Sequence, residues 1–219
     1  MGFNYKVPGD ISSSSFFLVL PLLSKKSEII LKNININKTR IGIIKILNKM
    51  NANIKFINKR NYNGEVIGDI IVKSKKNIKG INCPENLNSA AIDEFLIIFL
   101  VAARAKGVST FRNLSELNKK ESPRLDIAVM FLKKIGIKFV RNEDNLKIYG
   151  NPKLVLKGNY VVKNFRKDHR VFMMSCIAAL IFGGQWKIHD PVSIKSSFPN
   201  FLKKIKYLGA KIKWKKEKI

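Results

Sequence analysis

"AAIDEFLIIFLVAA", residues 90–103, sets two adjacent carboxylates directly before nine consecutive apolar residues. A helix over residues 95–103 would be apolar nearly all round, so it has to be buried on most sides. The same plan occurs twice more in the chain. "GDISSSS" (9–15) leads into "FFLVLPLL" (16–23), and "RKDHR" (166–170) leads into "VFMMSCIAALIF" (171–182). None of the three reaches the roughly 20 apolar residues that a membrane-spanning helix needs.

The segments after each apolar stretch also repeat. A β-branched strand comes first: "SEIILKNI" (27–34), "GVSTFRNL" (107–114) and "GQWKIHDP" (184–191). An amphipathic helix comes next: "TRIGIIKILNKM" (39–50), "SPRLDIAVMFLKKI" (122–135) and "SFPNFLKKIKYL" (197–208). Each unit then closes on a strand, "NANIKF" (51–56), "GIKFV" (136–140) and "GAKIKW" (209–214). Extra strands are expected at "DIIVKS" (69–74) with "IKGI" (78–81), and at "NLKIYG" (145–150) with "KLVLKG" (153–158). The period is about 75–85 residues, one supersecondary unit repeated three times.

Three βαβαββ-type units with their apolar helices inside define an inside-out, barrel-like α/β domain, with sheets outside and helices as the core. In the middle unit, Leu125, Ala128, Val129, Leu132 and Ile135 recur at helical spacing, with Arg124, Lys133 and Lys134 between them. That pattern reads as a one-faced surface helix. Ser122 is its expected N-cap and Pro123 its first helical residue. Parallel core helices would aim their N-termini at one end. Ser12 to Ser15, Asp93 with Glu94, and Asp168 with His169 are helix-start types there. Three such termini on one face make an anion site before any lysine is counted.

The chain has 219 residues, enough for a sizeable core, and 46% of them are hydrophobic, which excludes a disordered basic tail. With 42 Lys+Arg against 15 Asp+Glu, the formal net charge is +27. Such a field favours anionic partners. Lys, Ile and Asn nevertheless crowd every segment, as AT-biased codon usage would spread them, so the charge does not specify a polyanion site. Cys83 and Cys176 have no metal-ligand or redox spacing and read as ordinary thiols of a reducing, cytoplasmic compartment. His169 has no second histidine near it in sequence and reads as a local hydrogen-bonding residue.

The ordered set "VPGDISSSSFF", "NKTR.GI", "IDE", "KKES.R", "DHR..MM" and "SSFPNF" resembles the 5-enolpyruvylshikimate-3-phosphate synthases, the enolpyruvyl transferases of the shikimate pathway. The resemblance implies half of a two-domain enzyme: residues 1–15 as an interdomain crossover and 16–219 as the C-terminal domain, with repeats at about 10–82, 83–158 and 159–219. It implies transfer of the enolpyruvyl group of phosphoenolpyruvate to the 5-hydroxyl of shikimate 3-phosphate, in a cleft between the two domains. The reaction so implied uses no metal or other cofactor, no membrane and no specific nucleic acid. A separately encoded N-terminal domain is the candidate protein partner, and without it the chain is expected to be inactive.

Residue by residue, the resemblance assigns Asp93 to the shikimate hydroxyls, as acceptor of the 5-OH proton. It assigns Glu121 to proton transfer at the methylene carbon, and Lys120, Arg124 and Arg170 to the anionic substrates. These residue types suit that chemistry, since arginines hold carboxylate and phosphate bidentately and a carboxylate among cations can shuttle protons. Two positions depart from the family pattern: Pro123 replaces an aspartate, and Lys167 stands where a glycine is common. Two other readings stay open. One is the related transfer to a UDP-N-acetylglucosamine-type acceptor. The other is a non-catalytic remnant or basic anion-binding module from a split or decaying gene.

Overall fold

A computed structural model describes residues 5–213. The first unit runs α1 (Ile11–Leu23), β1 (Glu28–Asn35), α2 (Gly42–Lys49), β2 (Asn53–Tyr62) and β3 (Glu65–Lys73). The second runs α3 (Phe95–Arg104), β4 (Gly107–Phe111), α4 (Arg124–Lys134), β5 (Phe139–Asn142) and β6 (Asn145–Gly150). The third runs β7 (Asn159–Val162), α5 (His169–Phe182), β8 (Gln185–Ile188) and α6 (Phe201–Tyr207).

The three apolar stretches form the core expected of them. Every residue of α1 except Ser13 is buried, as is every residue of α3 except Arg104. In α5 the buried run spans Val171 to Ala178. Each of these helices touches the other two. Their direction is set by contacts at both ends. At the N-terminal end Arg170 of α5 donates to the Asp93 carbonyl just before α3, and at the C-terminal end Arg104 of α3 donates to the Ile181 carbonyl of α5. These two helices therefore run parallel, and α1 runs with them, since Ser12 and Ser13 border one cavity with Arg170 while Leu20 and Pro21 border another with Leu180. Among the described residues no helix is long and apolar enough to cross a membrane.

The sheets lie outside this core as separate sheets, ordered β1-β3-β2, β4-β6-β5 and β7-β8. The first two are antiparallel and β7-β8 is parallel. Each unit also pairs the chain entering its core helix in parallel with the strand leaving it. Gly9 bridges Ile34, Lys79 bridges Lys106, and β7 pairs with β8. This is the right setting for a buried crossover helix, which must link parallel strands.

That pairing corrects two expected strands. "IKGI" belongs to the second unit, because Gly80 N donates to Lys106 O rather than to the first sheet. "KLVLKG" forms no strand, and the entering strand is β7, one residue later. In "GAKIKW", residues 210–213 carry no strand, and Trp214 lies outside the described residues.

Aromatic and glycine contacts lock the units together. Phe198 and Phe201 of "SSFPNF" each pack against Phe17 of α1, with ring centroids 5.8 Å apart in both pairs, which joins the third unit to the first. At Gly42 of "NKTR.GI", a Cβ would sit 2.4 Å from the Ala90 carbonyl, so only glycine lets α2 approach the turn before "IDE".

Candidate active site

The parallel helices bring "GDISSSS", "IDE" and "DHR" to one end, and the loop before α4 delivers "KKESPR" to the same place. At two of the three termini a side chain caps the helix. Asp10 Oδ2 accepts from Ser13 N at 2.7 Å, and Asp168 Oδ1 accepts from Arg170 N at 2.8 Å. The serines expected to open α1 lie inside it instead, because Asp10 takes the cap. Glu94 occupies the capping position of α3 without a side-chain cap, and Asp93 lies one residue earlier. The shared end is thus not simply positive: carboxylates sit among the helix dipoles and need cations.

Arg124 supplies most of that compensation. Its Nε donates to Asp168 Oδ2 at 2.9 Å, its Nη1 to Asp93 Oδ1 at 3.1 Å, and its Nη2 to Glu121 Oε2. The sequence pattern put Arg124 on the solvent side of α4, whereas its side chain is only 1% exposed. Lys120 Nζ lies 3.4 Å from Asp93 Oδ1, and Arg170 Nη2 lies 3.5 Å from Asp93 Oδ2. All five residues singled out in the sequence therefore belong to one ion-pair network, with Asp93 at its centre.

The start of α4 is built differently from the expectation. Helical residues begin at Arg124, Pro123 holds the capping position, and no side chain there caps the helix. Ser122 does not cap, and its buried hydroxyl donates instead to Asp168 Oδ2 at 2.8 Å. Asn118 takes over from the preceding turn, its Oδ1 accepting from Leu125 N at 2.9 Å and Asp126 N at 3.3 Å. Sequence reasoning missed Asn118, Ser122 and Asp168 as parts of the site. The "D" of "DHR" and the "S" of "KKES" were the available signals, but both read equally well as helix caps.

The electrostatics are a consequence of this packing. Burial pushes the Asp93 carboxyl up, but Arg170, Lys120 and Arg124 together outweigh it and hold it below the usual carboxylate range. Asp168 behaves alike: burial opposes ionisation, and Arg124, Ser122 and the Arg170 amide overcome it. Glu94 goes the other way, its burial raising it despite Ser12 and Arg170. Burial and the Arg170 charge push His169 down. His169 and Arg170 line a cavity of about 130 Å³ with Ser12, Ser13 and Ser197. Away from this end, Cys83 and Cys176 are free and buried, and burial pushes their thiols up to about 11 and about 12. Neither is a nucleophile at neutral pH.

The helix-cored α/β domain has the fold of the enolpyruvyl transferases. The solved enolpyruvyl transferase NikO of Streptomyces tendae shares the fold, with a TM-score of 0.73 at 13% identity. The family model for EPSP synthase (3-phosphoshikimate 1-carboxyvinyltransferase) matches residues 1–205, and the chain belongs to that family. It is 42% identical over 202 residues to the 3-phosphoshikimate 1-carboxyvinyltransferase of Bacillus pumilus, covering 92% of this chain and 46% of that one. With the enzyme of Petrotoga mobilis it shares 39% over 200 residues, 91% of this chain and 45% of the relative. An EPSP synthase structure from Acinetobacter baumannii superposes with a TM-score of 0.87 at 34% identity, over 94% of this chain and 47% of that one. The chain spans about half the length of these relatives.

Proposed function

We propose that these residues form the C-terminal half of a cytoplasmic enolpyruvyl transferase, with residues 1–15 as its crossover and three repeats at about 10–82, 83–158 and 159–219. The substrates are phosphoenolpyruvate and shikimate 3-phosphate, as the family and its named relatives support. The observation that carries the reading is the single network joining Asp93, Lys120, Glu121, Arg124 and Arg170.

In this reading Asp93 takes the proton of the 5-hydroxyl as that oxygen adds to the enol carbon. Glu121 delivers a proton to the methylene carbon in the addition. It removes one again as phosphate leaves with the proton that Asp93 took from the hydroxyl, which regenerates the enol ether. Lys120, Arg124 and Arg170 hold the anionic groups and offset charge that develops in the intermediate. Arg124 already has each of its nitrogens on a carboxylate, with one N–H left on each Nη, so a bidentate substrate carboxylate competes with these partners. Glu121 is the one to yield, because its side chain is 55% exposed while Asp168 is fully buried. Binding at Arg124 would then free the Glu121 carboxylate for proton transfer.

The opposite wall of the cleft falls to an N-terminal domain. The test is phosphate release from the two substrates by this chain mixed with a separately expressed N-terminal domain of the family. Turnover in the mixture and none with either half alone is the expected result. An associated, folded and inactive pair would leave a non-catalytic remnant.

A further inference from the structure

Glu94 has no place in the proposed transfer, yet it is the most enclosed carboxylate of the site after Asp168. Its side chain is 3% exposed, and among the described residues its Oε1 has no hydrogen-bond partner. Leaving a buried carboxylate oxygen unpaired is costly, so a position that tolerates it invites an explanation. Arg170 Nη1 donates to the Asp93 carbonyl at 3.1 Å and lies 3.8 Å from Glu94 Oε1, an ion-pair distance too long for a hydrogen bond. The Ser12 hydroxyl, which accepts from Arg40 Nη2 at 3.2 Å, favours the ionised Glu94 carboxyl but does not outweigh its burial.

The charged groups facing Glu94 come from several elements. Arg170 belongs to α5, Arg40 to the loop before α2, and Asp93 to the neighbouring turn position, with Ser12 of α1 between. Arg170 is 13% exposed and borders the cavity at the helix N-termini, so an anion reaching that cavity meets the same guanidinium.

We propose that Glu94 is a positioning residue that competes with the incoming anion for Arg170, so that anion binding takes up a proton from solvent onto the Glu94 carboxyl. An ionised Glu94 draws Arg170 inward and repels the anion. A protonated Glu94 leaves the guanidinium to the ligand and can donate its own O–H. Because burial already favours the neutral acid here, a second negative charge nearby tips it further the same way. The coupling is reciprocal: whatever the anion does to the proton, the proton does to the anion.

The inference rests on the anion-binding part of the proposed function and not on the transfer step. Sulfate is the probe, since its charge stays constant over the working pH range while that of phosphate does not. The Glu94 carboxyl carbon is followed by NMR against pH, with and without saturating sulfate, its signal assigned by its loss in Glu94→Gln. The titration midpoint moves upward with sulfate. At pH values above the Glu94 midpoint of the parent chain, Glu94→Gln binds sulfate about fivefold or more tightly than the parent, the low end of ordinary site coupling. His169 also titrates near Arg170, but it is unchanged in Glu94→Gln, so its contribution remains in both proteins. A midpoint indifferent to sulfate, or a Glu94→Gln chain that binds no more tightly, overturns the proposal, as does sulfate that leaves Arg170 untouched. An inactive reconstituted enzyme that keeps the sulfate coupling would remove the transferase reading and leave this one standing.

Discussion

Arg124 Nε and Asp168 Oδ2 meet at 2.9 Å with one side chain 1% exposed and the other fully buried. The pair links the second unit of the domain to the third, across 44 residues of sequence. Asp168 also caps α5, so one carboxylate fixes both the arginine of the site and the helix that carries Arg170. Replacing it with asparagine keeps the cap, since an amide oxygen still accepts from the Arg170 amide, but leaves Arg124 short of a buried counter-charge. Asp168→Asn is expected to cost about 3–5 kcal/mol, the range for breaking a buried pair from one side. The free energy of urea unfolding measures it.

The pH dependence of stability divides by the sign of each shift. Asp93 and Asp168 are held below the ordinary carboxylate range in the fold. Their contribution is therefore present above that range and lost as pH falls through the depressed values. Glu94 is raised, so its contribution is present at low pH and lost as pH rises through its folded value. Urea midpoints recorded against pH should fall steeply on the acid side in the parent chain and less steeply in Asp168→Asn. Glu94→Gln should raise the midpoint only on the side where Glu94 ionises, as pH rises through its folded value.

Asn118 makes a separate prediction about the loop that carries Lys120 and Glu121. Its Oδ1 accepts from two amides of α4, and its Nδ2 donates to Asp126 Oδ1 at 3.1 Å. Asn118→Ala should destabilise the chain by about 1 kcal/mol, as the loss of a helix cap does. Faster amide exchange should be confined to the start of α4 and the turn before it.

The repeat made the fold legible, because three all-round apolar helices cannot be placed anywhere but inside. Strand edges were less legible. "KLVLKG" and "IKGI" have strand-like composition, but whether they pair depends on where the next core helix emerges, which composition does not encode. The site was legible as a set of residues and not as a network. Arg124 falls between the apolar positions of α4, as the exposed Lys133 and Lys134 do, so the pattern assigned it outward. Its partners Asp168 and Asp93, 44 and 31 residues away, give it a reason to be buried. Pro123 looked like a helix start with Ser122 as its cap. The hydroxyl's alternative partner was again Asp168.

The last prediction separates Glu121 from Arg124, which touch each other but are held differently. Glu121 is more than half exposed, so Glu121→Gln should leave the unfolding midpoint nearly unchanged. In the enzyme reconstituted with an N-terminal domain, it should lower kcat by about a hundredfold or more with little change in KM, because an amide keeps the shape and loses the proton transfer. Arg124→Lys should behave in the opposite way. An ammonium cannot serve Asp168, Asp93 and Glu121 from three directions as the guanidinium does, nor present a fork to a substrate carboxylate. It should therefore weaken both the fold and substrate binding, and raise KM more than it lowers kcat. Steady-state kinetics over a range of phosphoenolpyruvate concentrations, beside urea unfolding of the same proteins, gives both quantities. If Glu121→Gln raised KM and spared kcat, Glu121 would be a binding residue, and proton transfer at the methylene carbon would have to come from another group.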